Sequence, residues 1–260
     1  MQELVFSDHT GEYPILVTDE NTQRSLRFGT QEQQSCIDLC SPWVLQLAYT
    51  RWMMTALLLH PSPEKFLLIG LGGGAIAHFL LHHHPESRID AVEKEEQVIR
   101  LARGYFKLPV RERFNIIQQD AHSFLHTSAS SGYHIAFIDI FTPGAMASPL
   151  FLADFHRAVL SRLTPDGVLA INLWSGDKDL YHQVSQAVWT ASGGRQLRLQ
   201  VEKRSNVILL VFPTEIPRKQ IKKAQENCRM YQQRYQLDFS GCLKRLRRAH
   251  RLARLTSLFL

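Results

Sequence analysis

Cysteine is scarce in this chain. The 260 residues hold four, Cys36, Cys40, Cys228 and Cys242. None forms a CxxC pair or another ligand spacing, which excludes a disulfide framework and sets a cysteine zinc site aside. Long apolar runs are missing as well, and no stretch approaches the roughly 20 residues of a membrane-spanning helix. The opening residues MQELVFSDH lack the basic start and apolar core of a signal peptide, so a cytoplasmic protein is expected. One region lacks negative charge: residues 217–260 carry 12 Lys and Arg against 2 Asp and Glu, while the remainder carries 18 against 22. The net charge of +6 therefore belongs to the tail, and the body is mildly acidic.

What is present is a globular composition, 45% hydrophobic and 21% charged, long enough for one large α/β domain with an appendage. Residues 11–39 alternate apolar and polar positions between turn-formers, which predicts a small antiparallel β unit. Ser41-Pro42 then reads as a helix start, with a helix over 43–59 ended by Pro61 and Pro63. From 65 to 212 apolar strands alternate with amphipathic helices, expected at 74–84, 94–106, 149–163 and 178–191. That alternation predicts a doubly wound parallel sheet. The last two strands, QLRLQV and NVILLVF, are separated by four residues, too few for a crossover helix, and should form an antiparallel hairpin. Residues 217–260 read as helical, with Leu243, Leu246, Leu252 and Leu255 separated by threes and sixes. The expected organisation is 1–42 as the β unit, 43–215 as a Rossmann-like nucleoside-binding domain and 216–260 as a basic helical tail.

The chemistry concentrates at Lys65-Phe-Leu-Leu-Ile-Gly-Leu-Gly-Gly-Gly-Ala75. A buried strand runs into Gly70, Gly72, Gly73 and Gly74 and then into a helix, so backbone N–H groups line a turn that a ligand can approach closely. About twenty residues on, RIDAVE ends in Glu93, at the place where an acid meets a ribose hydroxyl. The pattern GLGGGA also satisfies the dinucleotide fingerprint. Three features favour an S-adenosylmethionine (AdoMet) site instead: a β unit and a helix precede the first strand, Asp120 closes the third strand, and Asp139 closes the fourth. Glu93 and Asp120 have an alternative reading as helix caps, which the residues alone leave open. Asp139 sits in the apolar strand end IAFIDIF, and a carboxylate there needs partners or a function. The run His82-His83-His84 suggests a metal, but it is better read as the close of a helix before Pro85, so no metal site is expected.

With these residues in place, the chain resembles the spermidine synthase family of polyamine aminopropyltransferases from about Gly11 to Phe212. The resemblance rests on the β unit with Gln34, the helix with Tyr49, the GGG turn, VEKE at 92–95, QDAHSFL at 119–125, DIFTP at 139–143 and the segment 155–174. It implies the class I AdoMet-methyltransferase-like α/β fold, parallel strands closed by an antiparallel hairpin, with a small N-terminal β unit. It implies AdoMet or decarboxylated AdoMet as the ligand, held by Gln34, Gly70, Gly72, Gly73, Gly74, Glu93, Lys94, Asp120 and Ala121. Asp139 and Tyr49 would then serve the attacking amine, and family members commonly form homodimers through their N-terminal regions.

Departures from the family pattern shape the functional expectation. The aspartate that follows the glycines in the family is Ala75 here, an acid two residues after the pocket tyrosine is Arg51, and the second acid of the DxxDP motif is Thr142. A diamine needs carboxylates, and a lost ion-pair partner at a buried site costs several kcal/mol. The expected activity is therefore methyl transfer from AdoMet to an unidentified small-molecule acceptor, with Arg51 meeting an anionic group such as the AdoMet carboxylate, or pointing to solvent. Two alternatives stand: genuine aminopropyl transfer with an unusual pocket, and a non-catalytic nucleoside-binding scaffold. The basic tail is more simply a packed helical element than a nucleic-acid surface, because it lacks interleaved aromatics.

Overall fold

Period-two alternation organises the N-terminal region. Ile15, Val17, Leu26 and Phe28 are buried, while Leu16, Arg24 and Arg27 stay half-buried and Thr18 and Ser25 are covered as well. In the computed structural model, which describes residues 2–29, 32–60 and 62–256 (backbone only for the last three), they form a four-stranded antiparallel sheet. Its strands are β1 (Glu3–Asp8), β2 (Ile15–Glu20), β3 (Gln23–Phe28) and β4 (Ser35–Asp38), hydrogen-bonded in that order. Strand β1 falls within the expected unit 1–42 but precedes the alternating segment 11–39. It is an edge strand with Leu4 58% exposed, so it carries little of the alternation that marks the others.

The helix expected over 43–59 is shorter. Helix α1 spans Ala48–Met53 and tightens into a 3₁₀ turn at Met54–Leu58. Before it, Val44 N–H donates to Ser41 O in a turn, and Arg51 Nη1 takes the carbonyls of Leu45 and Gln46, acceptors that a longer helix would use. Pro61 lies outside the described residues.

The central sheet has seven strands in the order β12-β13-β11-β8-β5-β6-β7. They are β5 (Lys65–Ile69), β6 (Arg88–Glu93), β7 (Phe114–Gln118), β8 (Tyr133–Ile138), β11 (Leu163–Trp174), β12 (Gln196–Gln200) and β13 (Asn206–Val211), with a two-residue hairpin β9 (Phe141–Thr142) and β10 (Ala145–Met146) after β8. β7, β6, β5, β8 and β11 run parallel, and β13 is antiparallel to both β11 and β12. The expected parallel sheet closed by a hairpin is what forms. Helices α2 (Ala75–His83), α3 (Glu96–Gly104), α4 (Ala121–Thr127), α5 (Ala153–Ser161) and α6 (Lys178–Ser192) connect the strands. Pro149 falls in the first turn of a separate 3₁₀ segment, Ser148–Phe151, so the helix expected from 149 begins afresh at Ala153.

The basic tail folds as α7 (Arg218–Glu226), α8 (Cys228–Tyr235) and α9 (Ser240–Thr256). Tyr235, Phe239, Leu243 and Leu246 join the same apolar cluster as the sheet. The leucine spacing does not hold to one face. Six residues advance a helix by about one and two-thirds turns, so Leu252 emerges 55% exposed and Ala249 and Ala253 pack instead; the Leu255 side chain lies outside the described residues.

The histidine run closes α2, and its rings pack: His82 stacks on Trp43 and His84 packs between Phe66 and Tyr235. Burial pushes His84, and separately His156, down to about 4. The folded state resists their protonation while the unfolded chain accepts it. The stability they support is therefore complete above about 6.5 and is lost as pH falls toward about 4. At pH 5 this amounts to about 2 kcal/mol per histidine. Thermal midpoints should drop from pH 7 to pH 5, and His84→Phe should remove part of that drop. A pH profile unchanged in His84→Phe would detach this histidine from the effect.

Candidate active site

Sheet register assembles the site. Ile69 pairs with Val92 on one side and with Ile138 on the other, so the chain leaves β5, β6 and β8 at one level. Gly70, Glu93 and Asp139 therefore meet at the carboxyl edge of the sheet. Glu93 pairs in turn with Gln118 of β7, which puts Asp120 just beyond that edge. Open α/β sheets bind their ligands along such an edge.

Gly70 holds the turn together. Its φ is +94°, and a Cβ there would sit 2.2 Å from the carbonyl oxygen of Asp139. Gly70→Ala combines backbone strain with a clash against main chain and should destabilise the fold by about 3 kcal/mol or more, read as a shifted denaturation midpoint. An unshifted midpoint would contradict this packing. Gly70 and Gly72 line a pocket with Gln34, Tyr49, Glu93 and Asp120. Gly73 and Gly74 lie behind it: added Cβ atoms would come within 2.7 Å of the Phe106 ring and 2.9 Å of Leu108. Their smallness serves close packing of the turn.

Glu93 is aimed by the backbone. Leu71 N–H donates to Oε2 at 3.0 Å and Glu95 N–H donates to Oε1 at 3.1 Å. Each oxygen keeps a lone pair for a ligand hydroxyl. Asp120 both caps α4, accepting from Ser123 N–H at 3.1 Å, and lines the pocket. The cap and the ligand reading are thus compatible in one residue. Lys94 and Ala121 also line the pocket, with Lys94 Nζ 3.3 Å from Glu95. Ala75, at the first position of α2, contributes no charge to this wall.

Asp139 sits just past the end of β8, where the sheet meets α1. Tyr49 Oη donates to its Oδ2 at 3.0 Å, and Asn172 Nδ2 donates to its Oδ1 at 2.9 Å. Asn172 is itself oriented by Asn206 Nδ2, which donates to its Oδ1 at 3.0 Å. Burial pushes the Asp139 carboxyl up to about 6 despite the two hydrogen bonds that favour its charge. Burial, and then the adjacent carboxylate, push Tyr49 well above its usual value, so the phenol stays a donor. An aspartate that changes charge near neutrality, with both oxygens fixed, is equipped to hold an amine and take its proton.

Arg51 and Thr142 line a second cavity of about 490 Å³, which shares Gln34, Tyr49, Phe141 and Thr142 with the first. Thr142 belongs to both, whereas Arg51 is absent from the lining of the first. Asn172 and Asn206 escaped the sequence reading. The available signal was a polar residue inside the apolar strand GVLAINL, since a buried amide there requires partners.

The spermine/spermidine synthase domain family matches residues 46–192. A polyamine aminopropyltransferase of Neisseria meningitidis serogroup A is 31% identical over 233 residues, covering 89% of this chain and 88% of the relative. Among solved structures, a probable spermidine synthase from Corynebacterium glutamicum superposes with a TM-score of 0.71 at 19% identity, covering 84% of this chain and 85% of that one. Human methyltransferase-like protein 13, solved with SAH, gives 0.57 at 23% identity over 70% of this chain and 88% of its own. The two structural likenesses concern the fold.

Proposed function

Because the chain belongs to the spermine/spermidine synthase family, we propose that it transfers the aminopropyl group of decarboxylated AdoMet to an amine. The carrying observation is Asp139, on the wall of the glycine-turn pocket and fixed by Tyr49 and Asn172, two residues that also line the second cavity. The pocket residues support a nucleoside: Glu93 offers two carboxylate oxygens that would meet ribose hydroxyls, Asp120 and Ala121 line the same pocket and would border the adenine, and Gly70 and Gly72 would admit a close backbone approach. When bound, the donor supplies a carbon next to a sulfonium, whose sulfur leaves as a neutral thioether. The protein's share is alignment and an unprotonated nucleophile. Asp139 receives the proton that the attacking nitrogen releases, and Tyr49 and Asn172 keep its oxygens facing that nitrogen.

Methyl transfer from intact AdoMet is the second reading, and Ala75 favours it. An apolar residue at the start of α2 leaves the helix N-terminus without an acid, a setting that suits a carboxylate better than an ammonium group. Identifying the nucleoside by-product decides between them. Methylthioadenosine is expected on incubation with decarboxylated AdoMet and an amine. S-adenosylhomocysteine from AdoMet, with no methylthioadenosine, would replace the first reading by the second.

A further inference from the structure

The second cavity carries charge of the wrong sign for a plain diamine. Amide side chains (Gln23, Gln46, Asn172 and Asn206) make up much of its polar wall, with one carboxylate, Glu32, and two guanidinium groups, Arg51 and Arg204. Arg51 and Arg204 have no carboxylate within ion-pair distance among the described residues. Arg51 is held in place through Nη1, which donates to Leu45 O at 2.9 Å and Gln46 O at 3.0 Å. Among the described residues its Nη2 and Nε make no hydrogen bond, which leaves them for another acceptor. Arg204 reaches the same cavity from the turn of the β12–β13 hairpin, the hairpin that also delivers Asn206 to the Asp139 network.

A doubly cationic acceptor entering here would meet one carboxylate in the wall, Glu32, and two cations, with Asp139 in the adjoining pocket behind Tyr49 and Asn172. Like charges in a partly enclosed site select against such a ligand. A fixed guanidinium instead suits the planar, paired oxygens of a carboxylate. Resting on the transferase reading above, we infer that the acceptor is an amino carboxylate: its amine meets Asp139 and Tyr49, and its carboxylate meets Arg51 and Arg204. The nitrogen lone pair forms the new N–C bond while the C–S bond of the donor breaks with its electron pair on sulfur. The displaced ammonium proton goes to Asp139. The arginines take no part in bond making and set specificity only.

Ornithine and 1,4-diaminobutane make a matched pair of probes, because they differ only by the carboxylate. Each would be titrated calorimetrically into the protein saturated with methylthioadenosine. Ornithine should bind at least tenfold more tightly, and Arg204→Gln, in an exposed turn, should erase most of that preference without lowering the thermal midpoint. Arg51→Gln should do the same wherever its fold is intact. A preference for 1,4-diaminobutane, equal binding, or no binding of ornithine overturns the inference while leaving the transferase reading standing. Failure of methylthioadenosine itself to bind would overturn both, and that outcome is distinguishable from the others.

Discussion

Replacing Asp139 by Asn should abolish turnover and stabilise the protein in the same step. The amide fits the existing contacts: its oxygen accepts from Asn172, and its NH₂ faces Tyr49, which can turn its hydrogen to the Gln34 carbonyl 3.2 Å away. Activity should fall by about 10²- to 10⁴-fold, the usual worth of a positioned acid or base. The sign of the stability change follows from the raised carboxyl. A folded value of about 6 against 3.8 means the folded state holds the proton more tightly than the unfolded chain. Ionised Asp139 therefore imposes no cost below about 3.8, and the full cost, at most about 3 kcal/mol, once pH exceeds about 6. Asp139→Asn should raise the thermal midpoint at pH 8 and leave it nearly unchanged at pH 4. Wild-type turnover should rise with pH through about 6 and then level. Full activity in the variant would remove Asp139 from the chemistry.

Glu93→Ala is expected to weaken nucleoside binding by about 100-fold. Two hydrogen bonds from ribose hydroxyls to a charged acceptor contribute about 1.5 kcal/mol each, and about 1.4 kcal/mol corresponds to a tenfold change in affinity. The substitution also frees the N–H groups of Leu71 and Glu95, so the turn loses its brace along with its ligand contact. Glu93→Gln separates these effects, since it retains an amide oxygen for one N–H while removing the charge. Unchanged affinity in both variants would take Glu93 out of the site.

Much of this architecture was legible in the residues. The β5 run into Gly70, the acid ending β6 and the short hairpin connection before β13 each follow from local pattern, and each appears in the structure. What local pattern does not carry is register. Asn172 and Asn206 sit 34 residues apart and join Asp139 only because β11 pairs with β8 on one edge and β13 on the other. Arg204 comes to the second cavity by the same route. Glycines 73 and 74 show the converse limit. A glycine motif states that side chains are excluded, but Phe106 and Leu108 do the excluding, and both lie some thirty residues downstream. Arg51 was readable as a departure from an acidic pocket, while its seat among the carbonyls of Leu45 and Gln46 depended on where α1 begins.

The proposal stands or falls on the nucleoside pocket and its preferred donor, and calorimetric titration with decarboxylated AdoMet and AdoMet side by side tests it most directly. Binding of decarboxylated AdoMet that weakens by about 100-fold in Glu93→Ala is the expected result. Binding of neither compound would contradict the assignment and leave the glycine turn as architecture alone.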